Sequence, residues 1–110
     1  MCAAALANLE IIEREGLLER ATHIGARLGA GLSSLAADGI IDHARGDGAV
    51  WAAGLKPDQN AMAIRDAMIP RGVVCRAINT DTNAFCPPLV TTDKQLDTII
   101  DVFAAVASGK

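Results

Sequence analysis

Two adjacent prolines, Pro87 and Pro88, constrain this 110-residue chain more than any other feature. Neither can donate a backbone hydrogen bond to a ladder, so a strand that runs into them must end there or lie at a sheet edge. Just beyond them, Thr92-Asp93-Lys94-Gln95 has the form of a capping box. The Thr92 hydroxyl can accept from the Gln95 amide while the Gln95 side chain returns to the Thr92 amide. A helix starting there would bury Leu96, Ile99, Ile100, Phe103 and Val106 at three-four spacing. Upstream, Gly72 offers an exit from a preceding helix, and Val73 to Ala77 reads as a strand. Ala84 to Leu89 reads as a second strand, with polar, turn-prone Asn79-Thr80-Asp81-Thr82-Asn83 as the return between them. Arg76 then stands where a buried strand meets a polar turn, a place from which a cation can face a cleft.

The rest of the chain supplies the cover for such a hairpin. Ala3 to about Glu15 are strong helix formers with Ala5, Leu6, Leu9, Ile11 and Ile12 along one side, and Gly16 interrupts them. Leu17 to about Ala37 predicts a second helix with Leu17, Leu18, Ala21, Ile24, Gly25, Leu28, Gly31, Leu32 and Leu35 on one stripe. Gly25, Gly29 and Gly31 each weaken that helix by about 1 kcal/mol relative to alanine, so close tertiary contact must offset them. Asp38-Gly39 ends it. Ile40 to Arg45 and Ala49 to Leu55 predict two strands, with Gly46-Asp47-Gly48 as a bulge or tight bend between them. Lys56-Pro57-Asp58 is a turn, and Asp58 or Asn60 caps a helix to about Ile69 that turns Ala61, Ile64, Ala67 and Met68 inward. The order is an α+β plan: a three- to four-stranded, mostly antiparallel sheet covered by helices.

Composition narrows the functions open to this chain. At this length about two-thirds of the unfolded surface can be buried, so a real core is possible. With only Trp51, Phe85 and Phe103 aromatic, that core must be aliphatic. A formal charge of −3 with no basic cluster argues against a nucleic-acid partner. No run of about 20 apolar residues exists to span a membrane, and the first residues lack the basic start of a signal peptide. Cys2, Cys75 and Cys86 are odd in number and lack C-x-x-C spacing, which indicates neither a disulfide framework nor a metal site and fits a reducing cytoplasm. Cys75 and Cys86, in β-rich runs, are expected as small buried hydrophobes.

Three stretches together carry a resemblance. Arg71-Gly72-Val73-Val74-Cys75-Arg76, a short return and then Cys86-Pro87-Pro88-Leu89-Val90-Thr91 before a helix resemble the end of the class-III aminotransferases, pyridoxal-phosphate enzymes of fold type I. Cys2 to Glu10 and Glu13 to Arg20 resemble the two-helix entry to that family's C-terminal domain. Ala44-Arg45-Gly46-Asp47-Gly48 resembles the strand that follows, with Asp47 where many relatives have an apolar residue. The resemblance implies that residues 1–110 are one domain, the C-terminal small domain of a longer aminotransferase whose large cofactor-binding domain lies outside this chain. It also implies pyridoxal 5'-phosphate in the parent enzyme and a parent homodimer. The parent would move an amino group between an amine or ω-amino acid and a keto acid such as pyruvate. An aminomutase of the same family, or a free-standing α+β ligand-binding or interaction domain, stays open.

The chemistry on this chain is recognition rather than catalysis. Transamination needs a lysine amine for a Schiff base, an acid at the pyridine nitrogen and donors for a phosphate. Lys56, Lys94 and Lys110 fall at a turn, in a helix's first turn and at the chain's end, so no catalytic residue, bound cofactor or metal is expected here and the chain alone should be inactive. The resemblance assigns Arg76 to the substrate carboxylate, a task that suits a guanidinium fork. On residue type alone, Arg76 could instead pair with Asp81 or another acid at the sheet edge. Asp81 suits an Asx-type turn, His23 a surface or boundary position, His43 a structural strand position, and Trp51 an anchor of the core or of an interface.

Overall fold

A computed structural model describes all of residues 1–110. The chain runs α1 (Cys2–Arg14), α2 (Leu17–Ala37), β1 (His43–Asp47), β2 (Val50–Gly54), α3 (Ala61–Met68), a 3-10 turn (Ile69–Arg71), β3 (Arg76–Ile78), β4 (Thr82–Phe85) and α4 (Asp93–Ala107). The four strands form one antiparallel sheet in the order β1-β2-β4-β3. Helices α2, α3 and α4 close over one side of it, around Leu28, Leu32, Ile64, Met68, Phe85 and Phe103. This is the α+β arrangement the sequence predicts.

Local chemistry accounts for most boundaries. Thr92 and Gln95 make the capping box, with both reciprocal bonds present at 3.2 and 2.9 Å. Asn60 caps α3 by accepting from the amides of Met62 and Ala63. Gly16 and Gly72 stop helices in the left-handed region at φ 60° and 86°, where a side chain would be strained.

The glycines of α2 do permit close approach. A Cβ on Gly25 would collide with the carbonyl oxygen of Gly48, one on Gly29 would lie 2.5 Å from the Trp51 ring, and one on Gly31 would lie 2.9 Å from Ile100. The β1–β2 hairpin and α4 therefore sit directly on the helix backbone. Trp51 is half-buried in that seam, and its indole N–H donates to the Gly48 carbonyl at 3.1 Å.

The strand boundaries depart from the sequence reading in three places. Val73 to Cys75 do not join the ladder: extending the β3–β4 register would set Val74 against Cys86 and Val73 against Pro87, which has no N–H to give. β4 begins at Thr82 rather than Ala84 and ends at Phe85, so the return is only Asn79-Thr80-Asp81, with Asn79 at φ 54°. β1 includes Gly46 and Asp47, and the tight bend is the two-residue turn Gly48-Ala49. A Cβ on Gly46 would strike the Trp51 ring, so the ring crosses the strand where the side chain is missing.

Burial corrects the sequence reading further. Cys75 is buried but Cys86 is exposed, because alternation after the inward Phe85 turns Cys86 to the other side of the sheet. Ala67 and Leu18 are exposed. In α1 no residue is buried; Leu6 and Leu9 stand 62% and 59% exposed, so its apolar side has no cover within this chain.

Candidate functional site

Arg76 opens β3 and is exposed. Its register partner is Ala84 on β4, itself opposite Ala52 on β2, which pairs with Arg45 on β1. Directly opposed residues share a face, so Arg45, Ala52, Ala84 and Arg76 form one row across the side of the sheet that faces away from the core. Ala53, Asn83 and Phe85 alternate to the opposite side and are buried there.

The hairpin that carries Arg76 is tied to its neighbours by backbone and by one buried side chain. The Ala61 amide donates to the Thr80 carbonyl at 2.9 Å and the Leu55 amide to the Asp81 carbonyl at 2.8 Å. Asn83, fully buried, donates from Nδ2 to the Ala61 carbonyl at 3.0 Å and to Cys75 Sγ at 3.5 Å. Its Oδ1 has no partner. Cys75 immediately precedes Arg76, so Asn83 fixes the start of β3. Burial pushes the Cys75 thiol up, with the Asn83 bond opposing it in smaller measure, so this sulfur is a packing group rather than a nucleophile.

The Arg76 side chain makes no hydrogen bond or ion pair within the chain, and the pairing with Asp81 is absent. Asp81 instead accepts from the Thr82 hydroxyl at 3.1 Å, so its side chain does not close an Asx turn on a backbone amide. Thr82 Oγ1 in turn accepts from Arg45 at 3.2 Å. A second Arg45 nitrogen donates to His43 Nε2 at 2.6 Å, which leaves the proton of a neutral ring on Nδ1 to donate to Asp42 at 2.8 Å. His43 is thus a link in a polar chain and has no nucleophile beside it.

A cleft of about 410 Å³ lies alongside, between the Gly72–Val74 segment, the Phe85–Pro88 segment and the first turns of α4. Arg76 does not line it, and none of its lining residues is charged, so it cannot itself fix a carboxylate. No group of three or more His, Cys, Asp or Glu is placed to hold a metal.

The residues present do not fit pyridoxal phosphate. Lys56 is half-buried in the turn before α3, with its backbone amide bonded to Gln59 Oε1, and Lys94 and Lys110 are exposed. No lysine lines the Gly72–Ile99 cleft or the cleft between α3 and the end of α4.

The α2–α4 seam carries an ion ladder absent from the sequence reading. Arg20 donates to the Thr91 carbonyl and to Asp93, His23 bonds Asp93 at 2.8 Å, and Arg27 meets Asp97 at 2.8 Å. The His23 hydrogen bond, with help from Arg20 and Arg27, holds the Asp93 carboxyl below its ordinary value. Spacing was the available signal: Arg20, His23 and Arg27 share one side of a helix, as do Asp93 and Asp97. For Asn83 there was none, since an amide in a polar run reads as turn.

Comparison with known proteins gives these features a context. The family described as aminotransferase class-III matches residues 1–107. An acetylornithine aminotransferase of Methanosarcina mazei is 35% identical over 101 residues, covering 92% of this chain and 25% of the relative. A taurine–pyruvate aminotransferase of Bilophila wadsworthia is 38% identical over 114 aligned positions, covering 89% of this chain and 25% of its own length. Among solved structures, the omega transaminase from Pseudomonas jessenii in complex with PMP superposes with a TM-score of 0.85 at 30% identity, covering 94% of this chain and 25% of that one. The chain spans about a quarter of the length of the relatives it matches.

Proposed function

The chain belongs to the class-III aminotransferases, and on that premise we propose that it is the C-terminal small domain of a pyridoxal-phosphate enzyme, in which Arg76 receives the carboxylate of the substrate. The parent reaction moves an amino group between an amine or ω-amino acid and a keto acid such as pyruvate. One observation carries the assignment: Arg76 stands on an edge strand, exposed, with no acid of its own chain beside it. A charged carboxylate–guanidinium hydrogen bond contributes about 1.5–3 kcal/mol, and the fork geometry favours two of them.

Catalytic groups lie, in this reading, in a larger domain outside these residues. Two features support that. The chain matches only a quarter of its relatives' length, and α1 keeps Leu6 and Leu9 exposed where a further domain would cover them. In the parent we place the domain in a cytoplasmic homodimer.

Titration of the isotope-labelled chain with pyruvate, followed by nuclear magnetic resonance, tests the assignment. Pyruvate should move the Arg76 side-chain Nε–H signal, and Arg76→Gln should remove binding. Binding that survives the substitution contradicts the reading. Incubation with pyridoxal phosphate and borohydride should leave the chain without a stoichiometric adduct; a full adduct at one lysine would place catalysis here after all.

A further inference from the structure

Two histidines are present, and their partners differ in kind. His23 bonds the Asp93 carboxylate at 2.8 Å, a contact that the ring keeps whether neutral or charged. His43 is held at both nitrogens, by Asp42 on Nδ1 at 2.8 Å and by Arg45 on Nε2 at 2.6 Å. A guanidinium has donors only, so this second bond exists only while Nε2 carries no proton.

Arg45 stands midway along β1, with His43 two residues before it and Asp47 two residues after it on the same face. Such neighbours are roughly 7 Å apart along a strand. The guanidinium is engaged on the His43 side: its other nitrogen donates to Thr82 Oγ1 at 3.2 Å, the only side-chain hydrogen bond between β1 and β4. Thr82 is only 4% exposed there, although it stands on the open side of the sheet. Gly54 gives the ring its place, since a Cβ at that position would collide with it. Asp47 is exposed and forms no ion pair. β2 carries no titratable side chain, Lys56 beyond it forms no ion pair, and Asp81 accepts from Thr82. On α2, which packs against the other side of β1, Arg20, His23 and Arg27 pair with aspartates of α4, and Glu19 is exposed in the first turn.

We propose that His43 is a pH-operated latch on Arg45: the neutral ring holds the guanidinium across the sheet at Thr82, and the protonated ring releases it to Asp47. A proton taken up from solvent on Nε2 turns that acceptor into a donor and sets two cations against each other, so the Arg45 bond is lost. Asp42 keeps its bond to Nδ1 in both states and favours the charged ring. Asp47 then offers Arg45 a carboxylate, which neither His43 nor Thr82 can, and the Thr82 hydroxyl is uncovered. Histidine ordinarily changes charge between pH 5 and 8, so the latch opens on mild acidification. It works within β1, β2 and β4 and needs nothing of Arg76.

Titration of the isotope-labelled chain from about pH 8 to about pH 5, with the His43 ring and the Arg45 Nε–H observed by nuclear magnetic resonance, tests the latch. Arg45 should shift with the same midpoint as His43. His43→Gln, whose side-chain carbonyl can still accept, should hold Arg45 fixed over that range, and His23→Gln should leave the Arg45 transition unchanged. Arg45→Gln should raise the His43 midpoint, because protonation no longer displaces a cation, and Asp47→Asn should lower it, each by on the order of 0.5 pH unit for exposed charges. An Arg45 signal that stays still while His43 titrates, or one that still moves in His43→Gln, overturns the latch. So does a transition lost in His23→Gln, or a His43 midpoint indifferent to either Arg45→Gln or Asp47→Asn.

Discussion

The two sides of the sheet are built from alternate residues of the same strands and obey opposite rules. On the covered side, Ala53, Phe85 and Asn83 are buried, Phe85 meets Phe103 edge-on at 5.1 Å, and the one deeply buried amide donates to two partners. On the open side, Arg45 and Arg76 stand at the two ends of a row with Ala52 and Ala84 between them, and neither arginine forms an ion pair. Unpaired charge is expensive in a core and cheap in water, so a chain that keeps a cation for a ligand must keep it on the side its own helices leave bare. In the proposed reading, stability and recognition are separated by one residue of strand register.

That separation can be attacked from the covered side first. Phe103→Ala should cost about 3–5 kcal/mol, through lost burial and the cavity left against Phe85, as read by chemical denaturation. Asn83→Ala comes next: it leaves the Ala61 carbonyl without its side-chain donor and should cost about 1–3 kcal/mol. It should also loosen the Cys75–Arg76 junction, seen as faster amide exchange at the start of β3. The smallest effect belongs to the α2–α4 seam. Because the Asp93 carboxyl is depressed in the fold, its stabilisation is complete above the ordinary aspartate value and is lost as pH falls through the lower folded value. Asp93→Asn should flatten the decline in melting temperature below about pH 4, the ordinary aspartate range; a decline as steep as in the unsubstituted chain would show that Asp93 does not drive it.

Elements with a local cause were legible in the sequence. The capping box at Thr92, the Asn60 cap and the glycine seam of α2 each follow from a few neighbouring residues, and each is present. Strand ends were less legible because they depend on the partner strand: only the register shows that Val73 would face Pro87. Asn83 was hidden for a related reason, since its burial depends on the Ala61 carbonyl arriving from α3. Arg76 was singled out by its setting and its resemblance. The bond from Arg45 to Thr82 was not legible, because it crosses β2 to reach a residue of β4.

The most direct test of the division between the two faces is one substitution read in two ways. In Arg76→Gln, pyruvate binding should be lost while the stability of the chain stays within about 0.5 kcal/mol, as for a surface position free of internal partners. A marked fall in stability, with binding retained, would show that Arg76 serves the fold and would contradict the account.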